Sequence, residues 1–295
     1  MTEPSHQPRD HQDFPLSGAG LTALSIAAER NLESRRPDRL FDDHLAAAFL
    51  APLDASRAAP PAGFRPRRSL GARWSGMHGF IGLRTRLFDD ELLAAARVGG
   101  RQMVLLGAGL DTRAFRLPWP AGVRVFELDR QDVLRYKAEV LARARARARC
   151  HRVPVPVDLA DEWAAALCSA GFDPTLPTVW VAEGLLLYLG RADCDGLLAR
   201  VGALSQPGSR LVLDHVNAAM MQTEEFAHMA HELARVGVAW RSSIDDPLQW
   251  LAGFGWQATL VDVESYAAGL GRPVPPVLAA DQRLAQRLWL VSARR

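Results

Sequence analysis

The sequence predicts an α/β protein built on a mostly parallel sheet, and three observations carry that prediction. Short apolar runs recur at 103–107, 123–128, 153–157, 178–182 and 210–213, each too short for a core helix. Segments of helical character separate them at 131–149, 161–170 and 192–204. The first run ends in Gly107, as a buried parallel strand does when it enters a tight turn. Strand alternating with helix means βαβ units with right-handed crossovers.

The remaining elements follow in chain order. Residues 1–17 are polar and read as a disordered leader, followed by one domain over 18–295. Within it, 18–98 is expected to form a helical N-terminal lid region and 99–295 the sheet-bearing core. Leu21, Leu24, Ile26, Ala27 and Ala28 supply the apolar stripe of a first helix running towards Leu32. A second helix is expected over 42–50, ended by Pro52, and a proline-rich loop or lid connection over 51–69. A third helical stretch, 74–96, leads into the first strand. After Asp214 the pattern loosens into a helical insertion at 217–245, and strands at 257–263 and 287–292 close the chain. There is no internal repeat.

Composition excludes several classes. A hydrophobic fraction of 48% over 295 residues supports a sizeable core. A formal net charge of +2 argues for neither nucleic acid nor a membrane surface as partner. Cys150, Cys168 and Cys194 are too few and too irregularly spaced for a disulfide framework or a zinc site, which fits a reduced, cytoplasmic setting. The N-terminus lacks a signal-peptide pattern, and no apolar run approaches the ~20 residues that span a bilayer. His228 and His231 lie one helical turn apart, but no further ligand pattern joins them, so no metal site is expected. The alternating Ala–Arg stretch at 142–149 reads as a solvated helix end without the aromatic platform of a nucleic-acid site.

The chemistry concentrates at strand ends. In Val104-Leu-Leu-Gly-Ala-Gly-Leu-Asp-Thr112, Gly107 and Gly109 let the backbone turn sharply and approach a ligand closely. A Rossmann-like dinucleotide site wants a third Gly or Ala where Thr112 stands, and it seats a pyrophosphate where Asp111 brings negative charge. S-adenosylmethionine has no phosphate and carries a sulfonium and an ammonium, so Asp111 favours it over a nicotinamide dinucleotide. Asp129 ends the second strand about 20 residues after the glycines, where a carboxylate grips a ribose diol; the plain alternative is a helix N-cap. Glu127, two residues earlier on the same face, ranks second. Asp158, with Leu159, ends the third strand and can accept from an adenine amino group, or merely cap the helix that follows. Glu183 follows the apolar fourth strand, where an unpartnered carboxylate would be costly.

These four elements, in this order, resemble the leucine carboxyl methyltransferase family, in its bacterial branch of S-adenosylmethionine-dependent methyltransferases common in actinobacteria. The resemblance runs over nearly the whole chain and includes 22–43 and Arg84-Thr85-Arg86 with Phe88-Asp89-Asp90. Asp42-Asp43-His44 departs from it, since relatives often show Asp-Pro there. The resemblance implies a class I methyltransferase sheet with S-adenosyl-L-methionine as cofactor. It implies Arg84 at the methionyl carboxylate, Gly107 and Glu183 beside the methionyl part, Asp129 at the ribose, and Asp158 with Leu159 at the adenine; Gly109 and Asp111 complete the expected cofactor-binding set. It further implies O-methyl transfer, with a carboxylate of a secondary metabolite or peptide as the expected acceptor.

A carboxylate acceptor is ionised near neutral pH and needs no base; a hydroxyl acceptor would call on His215, which follows Asp214 at the fifth strand end, or on Tyr188. Met220, Met221, Phe226, Met229 and Trp240 either line an apolar acceptor pocket or pack the insertion onto the sheet. Arg65, Arg67, Arg68 and Arg73 offer cations that would orient an acidic acceptor. An oxidoreductase on a similar sheet and a non-catalytic cofactor-binding relative are the competing expectations.

Overall fold

A computed structural model describes residues 16, 18–55, 79–235, 237–278 and 287–295. The leader apart from Leu16, most of the proline-rich connection and Arg65, Arg67, Arg68 and Arg73 lie outside the described residues. Leu16 is buried in the core, so it does not belong to a disordered leader. Seven strands form one sheet in the order β3-β2-β1-β4-β5-β7-β6. They are β1 (Gln102–Leu106), β2 (Arg124–Asp129), β3 (His151–Pro156), β4 (Thr178–Ala182), β5 (Arg210–Val216), β6 (Gln257–Leu260) and β7 (Leu288–Arg294). β1 to β5 run parallel; β7 is antiparallel to both β5 and β6. The strand order reverses between β1 and β4, which opens a crevice at their carboxyl ends.

Side-chain alternation sorts the sheet into two packed faces. Leu105, Val125, Val181 and Val212 point to one face, covered by α1 (Ala19–Ser34), α2 (Ala46–Ala55), α3 (Phe80–Arg97) and, after the one-turn helix α4 (Arg113–Arg116), by α5 (Gln131–Arg143). Val104, Phe126, Trp180 and Leu213 point to the other face, under α6 (Trp163–Ser169) and α7 (Arg191–Ala203). The insertion after β5 holds α8 (Ala218–Met221) and α9 (Glu224–Ala234), which build a third, smaller apolar cluster. Two short helices, α10 (Pro247–Ala252) and α11 (Val263–Gly269), flank β6. No described helix is long and apolar enough to cross a membrane.

Three sequence expectations change. α2 continues past Pro52 to Ala55, so the proline costs the helix one backbone donor without ending it. α5 stops at Arg143 instead of reaching 149. Arg145 adopts a left-handed φ of 50°, Arg145 N–H donates to the Ala142 carbonyl and Ala146 N–H to the Leu141 carbonyl. That is a Schellman stop with arginine where glycine is usual. The arginines at 145, 147 and 149 therefore leave the helix as exposed chain. The third change concerns α4, α10 and α11, which are too short to print a 3.6-residue pattern on the sequence.

Candidate active site

At the switch point a cavity of about 300 Å³ opens between the strand ends, α1 and the post-β5 insertion. Its floor is the turn after β1. Gly107 and Gly109 hold φ of 64° and 47°, left-handed values that favour glycine. A Cβ at Gly107 would stand 2.9 Å from Leu185 Cδ1, and one at Gly109 would stand 3.4 Å from Ala23 Cβ of α1. The turn is tied to β2 twice: Ala108 N–H donates to the Leu128 carbonyl, and Gly109 N–H donates to Asp129 Oδ2 at 2.6 Å. Asp129 Oδ1 accepts from Arg130 N–H at 2.7 Å. The N-cap position of α5 belongs to Arg130, so Asp129 is a tether for the glycine turn and lines the cavity. Burial pushes its carboxyl above the ordinary value, against those two amide hydrogen bonds.

The polar wall is a buried ion network. Arg84 of α3 donates from Nε to Glu183 Oε1 at 3.1 Å and from Nη1 to Asp214 Oδ2 at 3.0 Å. Arg113 of α4 donates to Glu183 Oε2 at 2.6 Å, to Asp89 Oδ1 at 2.7 Å and to Asp111 Oδ2. Arg116 closes the network on Asp89. Buried charges are tolerated only in such mutual company. Burial alone would raise Asp111 and Glu183, but Arg113, with Lys137, Arg30 and Arg116 behind it, holds Asp111 at about 2; Arg113 and Arg84 hold Glu183 below its ordinary range. Asp214 goes the other way: burial outweighs Arg84 and the Gly184 amide, and its carboxyl is raised.

Three guanidiniums thus face four carboxylates, one negative charge in excess, and Asp129 adds another when ionised. S-adenosylmethionine carries one net positive charge at neutral pH, so it fits this wall. A pyrophosphate does not, because Arg113 N–H, the first amide of α4, is already taken by Asp111 Oδ1 at 2.6 Å.

Arg84, Gly107, Gly109, Asp111, Asp129, Glu183 and Tyr188 all line the cavity. Tyr188 Oη stands 3.5 Å from Thr22 Oγ1 of α1. Three expected residues are placed differently. Asp158 is exposed and accepts from Ala160 N–H at 2.9 Å, the local turn that short carboxylates form. It bears on the cavity through its field on Arg130, which does line it. Leu159 packs into the second face. His215 is not on the ligand side. The two-residue period of β5 turns Asp214 and Val216 to the cavity and His215 to the opposite face, against Trp250 and Ser242. Burial first, and Arg191 second, push its imidazole down to about 4. Glu127 is also withdrawn: it is fully buried, with Lys137 Nζ at 2.8 Å and Arg152 at 2.7 Å.

Of the insertion residues, Phe226, Met229 and Trp240 line the cavity, whereas Met220 and Met221 pack behind them. Sequence reasoning missed Arg113 and Asp214. The signal that singled out Glu183, a charge set against an apolar run, was also present at Asp214. Among the described residues, no cluster of His, Cys, Asp and Glu could hold a metal ion.

Comparison with known proteins agrees with this geometry. The model of the leucine carboxyl methyltransferase family matches residues 23–202. A candidate S-adenosyl-L-methionine-dependent methyltransferase of Parafrankia sp. is 46% identical over 262 residues, covering 88% of this chain and 83% of that protein. One from Streptomyces coelicolor is 43% identical over 262 residues, covering 88% and 90%. Among solved structures, a methyltransferase from Thermobifida fusca, likewise a candidate by its description, superposes with a TM-score of 0.59 at 16% identity over 99% of each chain. A DUF574 family protein from Streptomyces avermitilis gives 0.57 at 17%, over 88% of this chain and all of the other. Fold and cavity together define an S-adenosylmethionine-dependent methyltransferase on a class I sheet. Within that class, the chain belongs to the leucine carboxyl methyltransferase family.

Proposed function

We propose that this enzyme forms a methyl ester on the carboxylate of a small metabolite or a peptide, in a cytoplasmic setting. Arg84, Gly107, Gly109, Asp111 and Glu183 would hold the methionyl end of the cofactor and Asp129 the ribose. When bound, S-adenosylmethionine supplies an activated methyl group on its sulfonium; alignment is the protein's part. Arg84 is held by two carboxylates from different strand ends, so its guanidinium is fixed before any ligand arrives. Glu183, shared between Arg84 and Arg113, sets their spacing.

The observation that supports a carboxylate acceptor is the character of the titratable groups on the cavity wall. Among the described residues they are Asp, Glu, Arg and Tyr only. Asp111 is pinned to Arg113 and held at about 2, and Glu183 is held below its ordinary range by Arg113 and Arg84. Asp129 and Asp214 already accept hydrogen bonds on both oxygens. Such groups are poor proton acceptors at neutral pH, and an ionised carboxylate needs none. Tyr188, beside Thr22 on the cavity wall, is proposed to position the acceptor. The test uses methyl-labelled S-adenosylmethionine with a panel of carboxylic acids and phenols. Label released as methanol by mild alkali supports ester formation; alkali-stable label on phenols alone overturns it.

A further inference from the structure

The net charge of +2, which by itself argues for no anionic partner, is not spread evenly over the molecule. The cavity lies at the carboxyl ends of the parallel strands, and the opposite end of the sheet is one row of strand ends. The register fixes that row. His151 stands beside Arg124, Arg124 beside Gln102, Gln102 beside Thr178, and Arg210 beside Arg294, where antiparallel β7 finishes. Six strand ends at the ordinary spacing make a face about 24 Å long.

The chain around this face is rich in arginine. Arg97 and Arg101 flank the turn into β1, Arg145, Arg147 and Arg149 lead into β3, and Arg294 ends β7; all six are exposed. None has a carboxylate partner among the described residues. Arg101 donates only to the Ala96 and Gly100 carbonyls, which leaves its charge uncompensated. Arg145 keeps a charge at a left-handed φ where glycine is easier. Among the described residues the carboxylates near this row are Asp173, before β4, and Glu139, near the end of α5. Both are engaged: Asp173 Oδ1 accepts from Thr175, and Glu139 lies 3.6 Å from Arg143.

Two aliphatic side chains stand out of the same face. Val98, next to Arg97, is 75% exposed, and Leu176, in the turn before β4, is 44% exposed. That turn is held against β1 by the Gln102 amide, which donates to the Asp173 carbonyl at 2.8 Å and accepts from Asp173 N–H at 2.8 Å. β1 and β4 are neighbours near the middle of the row, with arginines at both of its ends. Cations around protruding aliphatics match an anionic bilayer surface, where guanidiniums pair with headgroup phosphates and aliphatics enter the boundary beneath them. A nucleic acid fits less well. None of the exposed large hydrophobic side chains among the described residues is aromatic, so bases find no stacking platform.

We propose that this row of strand ends docks on a membrane surface rich in anionic phospholipids, with Val98 and Leu176 at the boundary and the cavity turned to the aqueous side. The docking goes beyond the methyl-transfer reading and does not depend on it.

The test is co-sedimentation of the full chain with vesicles of phosphatidylcholine alone or of equal parts phosphatidylcholine and phosphatidylglycerol. Each arginine near an anionic surface is worth about fivefold in partitioning. Arg145→Ala, Arg147→Ala and Arg149→Ala together should therefore weaken binding to the anionic vesicles about a hundredfold. Val98→Gln with Leu176→Gln should weaken it about tenfold, and high salt should weaken the wild type. All five positions are exposed and outside the cavity, so urea unfolding and methyl transfer should stay near wild-type values. No binding to anionic vesicles, equal binding to both kinds, or binding untouched by the arginine changes overturns the proposal. So does binding to double-stranded DNA or polyglutamate that is as tight as to anionic vesicles and indifferent to the Val98 and Leu176 changes.

Discussion

Acidification should destabilise this protein through His215. The imidazole lies 1% exposed, with Nε2 3.3 Å from Ser242 Oγ. Ser242 Oγ donates to the Leu186 carbonyl at 2.9 Å, so Nε2 carries the proton and Nδ1 finds no donor among the described residues. Burial holds its pKa at about 4, against 6.5 for the free side chain. Between those values the unfolded chain binds the proton and the folded chain does not, so stability falls as pH falls. From pH 7.5 to pH 5 the loss works out at about 2 kcal/mol, from the difference in proton binding of the two states. Urea unfolding of wild type and His215→Gln at both pH values measures it. The wild type should lose about 2 kcal/mol more than the variant. An identical pH dependence in both, or a His215 resonance titrating near 6.5, would refute the reasoning.

Other perturbations have equally definite outcomes. Asp129→Ala unties the Gly109 and Arg130 amides, and S-adenosylhomocysteine affinity by calorimetry should fall at least about tenfold, the effect of losing a charge-assisted contact; undiminished binding would remove Asp129 from the site. Glu183→Gln leaves Arg84 and Arg113 without their shared charge and should cost about 3 kcal/mol in urea unfolding. Gly107→Ala forces a side chain into φ 64° with Leu185 in the way, and should cost about 1–2 kcal/mol and weaken cofactor binding. Arg145→Gly, at the exposed left-handed stop of α5, should instead stabilise by about 0.5–1 kcal/mol; a destabilised variant would contradict the Schellman assignment.

The strands were legible because each prints a short run between turn signals. β1, β2, β4 and β5 are buried on both faces, which keeps their runs continuous, whereas the edge strands β3 and β6 are largely exposed. The cavity residues at strand ends were legible for a related reason: Asp129 and Glu183 stand as charges where apolar runs stop. What the sequence could not show is pairing. Arg113 follows Asp111 by two residues, but only folding brings Asp89 and Glu183 onto the same guanidinium and takes the first amide of α4 out of use. His215 shows the same limit in another form. Adjacent residues on a strand face opposite sides, and the sequence marks Asp214-His215 as polar without saying which of the two looks at the cavity. Glu127 looked like a second ribose ligand until Lys137, ten residues along and on another element, claimed it.

The wall built by Phe226, Met229 and Trp240 has a position along the chain as well as in space. Every strand-end residue that faces the cofactor end, Asp214 apart, falls within the span shared with the family model, residues 23–202, and the aromatic wall lies wholly beyond it. The two halves of one cavity are therefore encoded in separate stretches of sequence and join only where β5 delivers Asp214 and Val216 to their seam. On the proposed function, with the cofactor held at the strand ends, substitutions in α9 or around Trp240 would redraw what is accepted without disturbing the cofactor end. A scaffold divided in this way would change acceptors through the one stretch 226–240 while the frame stays fixed.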